Sequence, residues 1–192
     1  MSEPSDDAPG RVTGLALAGW GAIGLAAAFV LTVERFRLLE NPDHRLSCDL
    51  SPILSCGSVM VTEQARVFGF PNPLLGIGGF AVVVTLGVLL AGGVRLPAWV
   101  HTGFAVGAGL GLVFVAWLSF QSIHRIGALC PWCLVVWTVT IPTAVWAIAL
   151  ATRGTRLGRA MWDFRYLVVV VLYLVVVVQA LVVFWDYWRT LV

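Results

Sequence analysis

The chain has 192 residues, of which 59% are hydrophobic and 11% charged, with a formal charge of +2 and a mean hydropathy of +0.92. A water-soluble domain of this length would not carry so apolar a composition. The small, dispersed positive charge gives no footing for nucleic acid.

Residues 1–11, with proline, serine and three acids, read as a disordered tail. Charge-free windows then recur: Val12–Val33, Val67–Val94, Leu96–His124, Ile126–Thr152 and Tyr166–Trp185. Each meets the length of ~20 apolar residues that a bilayer-spanning helix requires. Five transmembrane helices are therefore expected, at about 13–33, 73–93, 98–120, 130–150 and 166–186. The first window is too long and its flank too acidic for a cleaved signal peptide, so it reads as an uncleaved anchor. Its glycines and alanines, from Gly14 to Ala28, suit close helix contact. Gly103, Gly107 and Gly111 on the third helix likewise read as a packing face.

The 34–72 connection has the turn residues and aromatics of a folded cap rather than a slack linker. Ser51-Pro52 reads as an N-cap with proline in the first turn, opening a short helix that includes Cys56. Thr62 stands before a second half-helix, Glu63–Arg66, and Phe68-Gly69-Phe70-Pro71 is apolar enough to dip back into lipid. Every basic residue is arginine, and the 151–165 connection carries four of them against one acid. That connection is expected to be cytoplasmic. Counting helices from it puts the N-terminus in the cytoplasm and all four cysteines outside, where disulfides persist.

Those cysteines carry the chemistry. Cys130-Pro131-Trp132-Cys133 starts a helix, where the dipole and free N–H groups favour thiolate, the form that attacks disulfides. Two alternatives stand beside redox work: two small apolar residues one turn apart, or half of a zinc site. Cys48 and Cys56 alone would be read as a loop staple. Beside the CxxC they also suit an electron-relay pair. His44, His101 and His124 are scattered, with no haem or flavin signature. A lipid-soluble quinone fits the location as electron partner.

The run Cys48-Asp-Leu-Ser-Pro-Ile-Leu-Ser-Cys56-Gly-Ser-Val-Met-Val-Thr62, then Phe68-Gly69, then Asn72-Pro-Leu-Leu-Gly76, resembles the vitamin K epoxide reductase family. Cys130-Pro-Trp-Cys133 stands where that family places its active dithiol, and the likeness spans about residues 12–150. The resemblance implies an all-α integral membrane protein: a four-helix transmembrane bundle around a quinone, a fifth transmembrane helix, and a cysteine-bearing extracytoplasmic cap loop. It implies that Cys133 faces the quinone (menaquinone or ubiquinone), that Cys130 exchanges with Cys56, and that Cys48 meets a partner protein. Asn72 matches a residue that hydrogen-bonds a quinone oxygen, although Asn before Pro73 also suits a helix cap. Thr62 matches a hydroxyl position at the loop–pocket boundary, with capping again an alternative. The family often has tyrosine one turn after the CxxC; Trp137 stands there, offering an indole N–H of different shape. Phe68, Phe70, Phe80 and Phe114 are candidate pocket walls, or plain packing.

The resemblance further implies a bacterial inner-membrane homologue without a fused thioredoxin domain, served by a separate DsbA-like thioredoxin-fold protein. Its organisation is expected as tail 1–11, catalytic domain 12–150, basic loop 151–165, and fifth helix with outer tail 166–192. The reaction expected is reoxidation of that partner at the expense of a membrane quinone. Three other readings stay open: a DsbB-type oxidase, whose two cysteine pairs normally come in the reverse order; a vitamin K-type epoxide reductase with a dithiol donor; and a scaffold whose cysteines only staple loops.

Overall fold

The computed structural model describes residues 8–42, 46–51 and 53–189. Five of its helices are long and apolar enough to cross a membrane, as the hydropathy windows predict. They are α1 (Ala8–Glu40), α3 (Pro73–Ala91), α4 (Ala98–Gln121), α5 (Pro131–Ala151) and α7 (Arg165–Val183); short helices α2 (Cys56–Met60), α6 (Arg156–Asp163) and α8 (Trp185–Arg189) complete the order. Valine dominates α7. β-Branched residues are only middling helix formers in water, but in hydrocarbon every backbone group must pair within its own segment, so the run is helical.

α1 outruns its expected end at residue 33 by seven residues, through Glu34, Arg35 and Arg37. Glu34 does not stop it because the carboxylate is buried against the cap, accepting from the Ser47 hydroxyl at 3.1 Å and from Arg37 at 3.4 Å. α4 also runs on, into one wide π turn, Ser122–Ile126. Gly127, at φ 71°, ends it in a left-handed conformation that side chains disfavour. The expected basic loop 151–165 contains α6, whose N-cap Thr155 accepts from the Gly158 N–H at 2.9 Å. Of the expected tail, residues 1–7 lie outside the described residues, and Ala8–Gly10 are already helical.

α1 lies against both α3 and α5, and α4 against α5, whereas α3 and α4 scarcely meet. The α1–α3 seam is closed at backbone distance. A Cβ on Gly14 would strike the main chain of Ala91, and one on Gly87 the main chain of Ala18. On α4 the expectation fails: a Cβ on Gly103, Gly107 or Gly111 would meet nothing within 4 Å. No helix is close enough for these glycines to pack on, and they line a cavity instead.

Candidate thiol–disulfide site

Cys48 and Cys56 are joined as a disulfide, with Cα atoms 5.7 Å apart. The short helix behind Cys56 begins four residues later than expected. Ser51 closes a local turn by accepting from the Leu54 N–H at 3.0 Å, while Pro52 lies outside the described residues. Ser55 is the N-cap, its hydroxyl oxygen accepting from the Ser58 N–H at 3.1 Å. The reason is a constraint from far along the chain. Leu54 and Leu129 form a parallel β-bridge, and Ser55, next in the chain, is held extended. The Ser55 N–H donates to the Leu129 carbonyl at 3.0 Å, and the Leu129 N–H to the Ile53 carbonyl at 2.7 Å.

That bridge ends one residue before Cys130 and one before Ser55, so it sets the two sulfur pairs against each other. Cys130 Sγ lies 3.0 Å from Cys56 Sγ, and neither residue has exposed surface. Asp49 stiffens the cap side, its carboxylate accepting from the Ser55 hydroxyl at 2.8 Å and the Gly57 N–H at 3.0 Å. Burial works to raise the Asp49 pKa, but these and other hydrogen bonds together hold it below the usual value.

Cys130 and Cys133 are free thiols. Cys130 is the N-cap of α5, its sulfur accepting from the Cys133 N–H at 3.4 Å, with Pro131 preset for the first turn. Its pKa is lowered, first by the hydrogen bond from the Cys133 thiol and then by the Cys133 and Trp132 N–H groups, against burial and the charge of Asp49. The sulfur nearest the cap disulfide is thus the one readiest to be a thiolate.

Cys133 lies on the wall of a cavity of about 750 Å³ running between α3 and α4. The walls are nearly all apolar, with exposed Val82 and Trp99 on its margin. Trp137, Thr62 and Asn72 line it together with Cys133, as do Phe80 and Phe114. Asn72 does not cap α3 through its side chain. Its Oδ1 accepts from the Val67 N–H at 3.1 Å and its Nδ2 donates to the Gln64 carbonyl at 2.7 Å, bracing the turn above the cavity. One amide hydrogen and one lone pair remain for a ligand. Thr62 precedes a 3₁₀ turn, Glu63–Arg66, without a side-chain cap bond. Its hydroxyl donates to the Val59 carbonyl at 2.7 Å, so it offers the cavity lone pairs rather than a proton.

Phe70 lies outside the cavity lining, and Phe68 also stands apart. It is exposed, stacks on Phe70 at 6.2 Å and lies 6.1 Å from Phe114, touching the cavity only through that ring. Residues that the linear pattern did not single out also line the space: Arg35, Gln121, Ser122, Thr140 and Thr143. Arg35 carried a signal, a cation within a turn of the end of an apolar helix; the threonines, bonded back to their own helix, carried none.

A buried disulfide in sulfur contact with a CxxC, itself on the wall of an apolar membrane cavity, defines a membrane thiol–disulfide oxidoreductase. The sequence model of the vitamin K epoxide reductase family matches residues 15–148, and the chain belongs to that family. Its members use quinones. No curated protein matches the chain in sequence.

Proposed function

We propose that the protein takes electrons from a DsbA-like thioredoxin-fold partner at Cys48 and delivers them to a membrane quinone at Cys133, so that disulfides form in exported proteins. The observation that carries this reading is the 3.0 Å approach of Cys56 and Cys130 sulfurs, with Cys133 next in line on the cavity wall. Loop and helix pairs are then in reach of direct exchange, and the far thiol is in reach of a lipid-soluble acceptor.

The electrons balance as follows. A partner thiolate attacks Cys48 Sγ and breaks the Cys48–Cys56 bond; the partner's second thiol resolves the mixed disulfide and leaves the loop reduced. Thiolate Cys56 attacks Cys130 of an oxidised Cys130–Cys133 pair and expels Cys133. Cys48 then closes on Cys56, freeing Cys130. The cap disulfide beside two free thiols corresponds to this stage. Closure of the Cys130–Cys133 bond passes two electrons to the quinone, and two protons convert it to quinol. Asn72 and Trp137 are the hydrogen-bond donors assigned to the quinone oxygens, and Thr62 the acceptor assigned to a quinol hydroxyl once it has formed.

The same reading places the sulfur end outside a bacterial inner membrane. α5 spans about 30 Å between Cys130 and the connection carrying Arg153, Arg156, Arg159 and Arg165. Arginine in short connections favours the cytoplasmic face.

The test is loss of free thiols from a reduced thioredoxin-fold client, with the full chain in liposomes containing ubiquinone, menaquinone or neither. Oxidation that depends on quinone is expected. Equal oxidation in quinone-free liposomes, or reaction only from dithiol to quinone epoxide, overturns the proposal.

A further inference from the structure

α5 carries Pro142 in mid-membrane. Proline has no N–H, so the Thr138 carbonyl, four residues earlier, loses its helical donor. Water cannot replace it in hydrocarbon, where an unmet carbonyl costs on the order of several kcal/mol. The missing donor comes from another helix: the Tyr173 hydroxyl of α7 donates to the Thr138 carbonyl at 2.5 Å.

The two halves of α5 differ in how they are held. Beyond Thr138, from Val139 to Ala147, every residue is buried in the bundle. Before it, from Pro131 to Val136, the helix is only half-buried. That looser half carries Cys133 and reaches Trp137, and α7 supports it. Val176, Ala180 and Phe184 pack in one cluster with Cys133, Leu134 and Trp137. Proline weakens the helix at the junction between the halves, and α7 bonds it at the same level. α7 lies beyond residues 15–148, the part matched to the family.

We propose that Tyr173 is a positioning residue: by restoring the hydrogen bond that Pro142 removes, it fixes the sulfur-bearing half of α5, and with it Cys133 and Trp137, over the cavity. Its consequence for catalysis rests on the thiol–quinone reading above. The fifth helix is then part of the catalytic frame rather than a passive anchor.

A double-mutant cycle in the full chain tests it. Tyr173→Phe keeps the ring and removes the donor, whereas Pro142→Ala gives Thr138 a donor within α5. Two readouts are taken: kcat/KM for a short-chain quinone, and the rate at which N-ethylmaleimide alkylates Cys133 in the reduced protein without quinone. With Pro142 in place, Tyr173→Phe is expected to change each by about threefold to tenfold, the range for one lost hydrogen bond. In the Pro142→Ala background, the same change is expected to do nothing further. An unchanged alkylation rate in Tyr173→Phe, or equal effects in both backgrounds, overturns the proposal. If the wild-type chain reduces no quinone, the functional reading falls and the alkylation arm still decides the role of Tyr173.

Discussion

Two helix seams in this molecule are built from glycine, and they do opposite things. Between α1 and α3, Gly14 and Gly87 bring backbones into contact. Between α3 and α4, Gly103, Gly107 and Gly111 face empty space. Spacing does not separate the cases; the residues opposite do. In the first seam Gly14 and Gly87 meet alanine and glycine main chain, Gly21 meets Val83 and Val84, and Gly24 meets the Phe80 ring. In the second, the helices are held apart, and missing side chains widen the gap. Small residues four apart in a membrane helix, Gly14/Ala18 and Gly87/Ala91 in one seam and Gly103/Gly107/Gly111 in the other, thus mark either a joint or a void.

The largest break expected in this comparison is chemical, at the sulfur end of the open seam. Cys133→Ala is expected to lower quinone-dependent turnover by roughly 10³-fold or more and to trap a Cys56–Cys130 bond, or a mixed disulfide with the partner, on non-reducing gels. Full turnover in that variant would remove Cys133 from its assigned role. Next comes overfilling of the closed seam: Gly87→Leu has no space and is expected to destabilise the fold by about 3 kcal/mol, read as a lower melting temperature or loss of monodisperse protein. The matching change in the open seam, Gly107→Leu, is expected to keep stability within about 0.5 kcal/mol. It should still lower kcat/KM for quinone by about tenfold to a hundredfold. Similar melting losses in both leucine variants would erase the distinction between the seams.

Smaller effects sharpen it. Asn72→Ala is expected to weaken quinone binding by about threefold to tenfold, with a smaller loss of thermal stability from the unbraced 64–72 turn. A change in melting with unaltered quinone kinetics would leave Asn72 a structural brace alone. The smallest effect is in pH. The Cys130 pKa is lowered from the ordinary 9.0, first by the Cys133 thiol, so its thiolate fraction grows with rising pH and has its midpoint below pH 9.0. The rate at which reduced Cys130 attacks Cys56 of the cap disulfide, the reverse of the forward transfer, is expected to follow that curve when read by rapid alkylation and quenching. Gly107→Leu, remote from the cap, should not move the midpoint.

The spans were legible in the sequence because hydrocarbon leaves the backbone few options and a charge-free window declares itself. The sulfur pairs were legible because a CxxC at a helix start has few other uses. Much of what brings them together was not. The Leu54–Leu129 bridge joins residues from opposite sides of two transmembrane helices, and neither leucine differs in pattern from its neighbours. That bridge also moved the α2 cap from Ser51 to Ser55, since both serines carry equal local propensity. Glu34 looked like a helix stop and is a buried anchor for the cap. Tyr173 and Pro142 each suit a membrane helix on their own; only their registry across α5 and α7 gives them a joint role.

The gap between α3 and α4 has a kinetic corollary. A reactant arriving there comes dissolved in lipid, so its effective dose is moles per mole of phospholipid, not moles per litre of suspension. Adding empty vesicle lipid at constant total acceptor should slow the reaction as though substrate had been withdrawn, whereas diluting the whole suspension with buffer should leave that half-reaction unchanged.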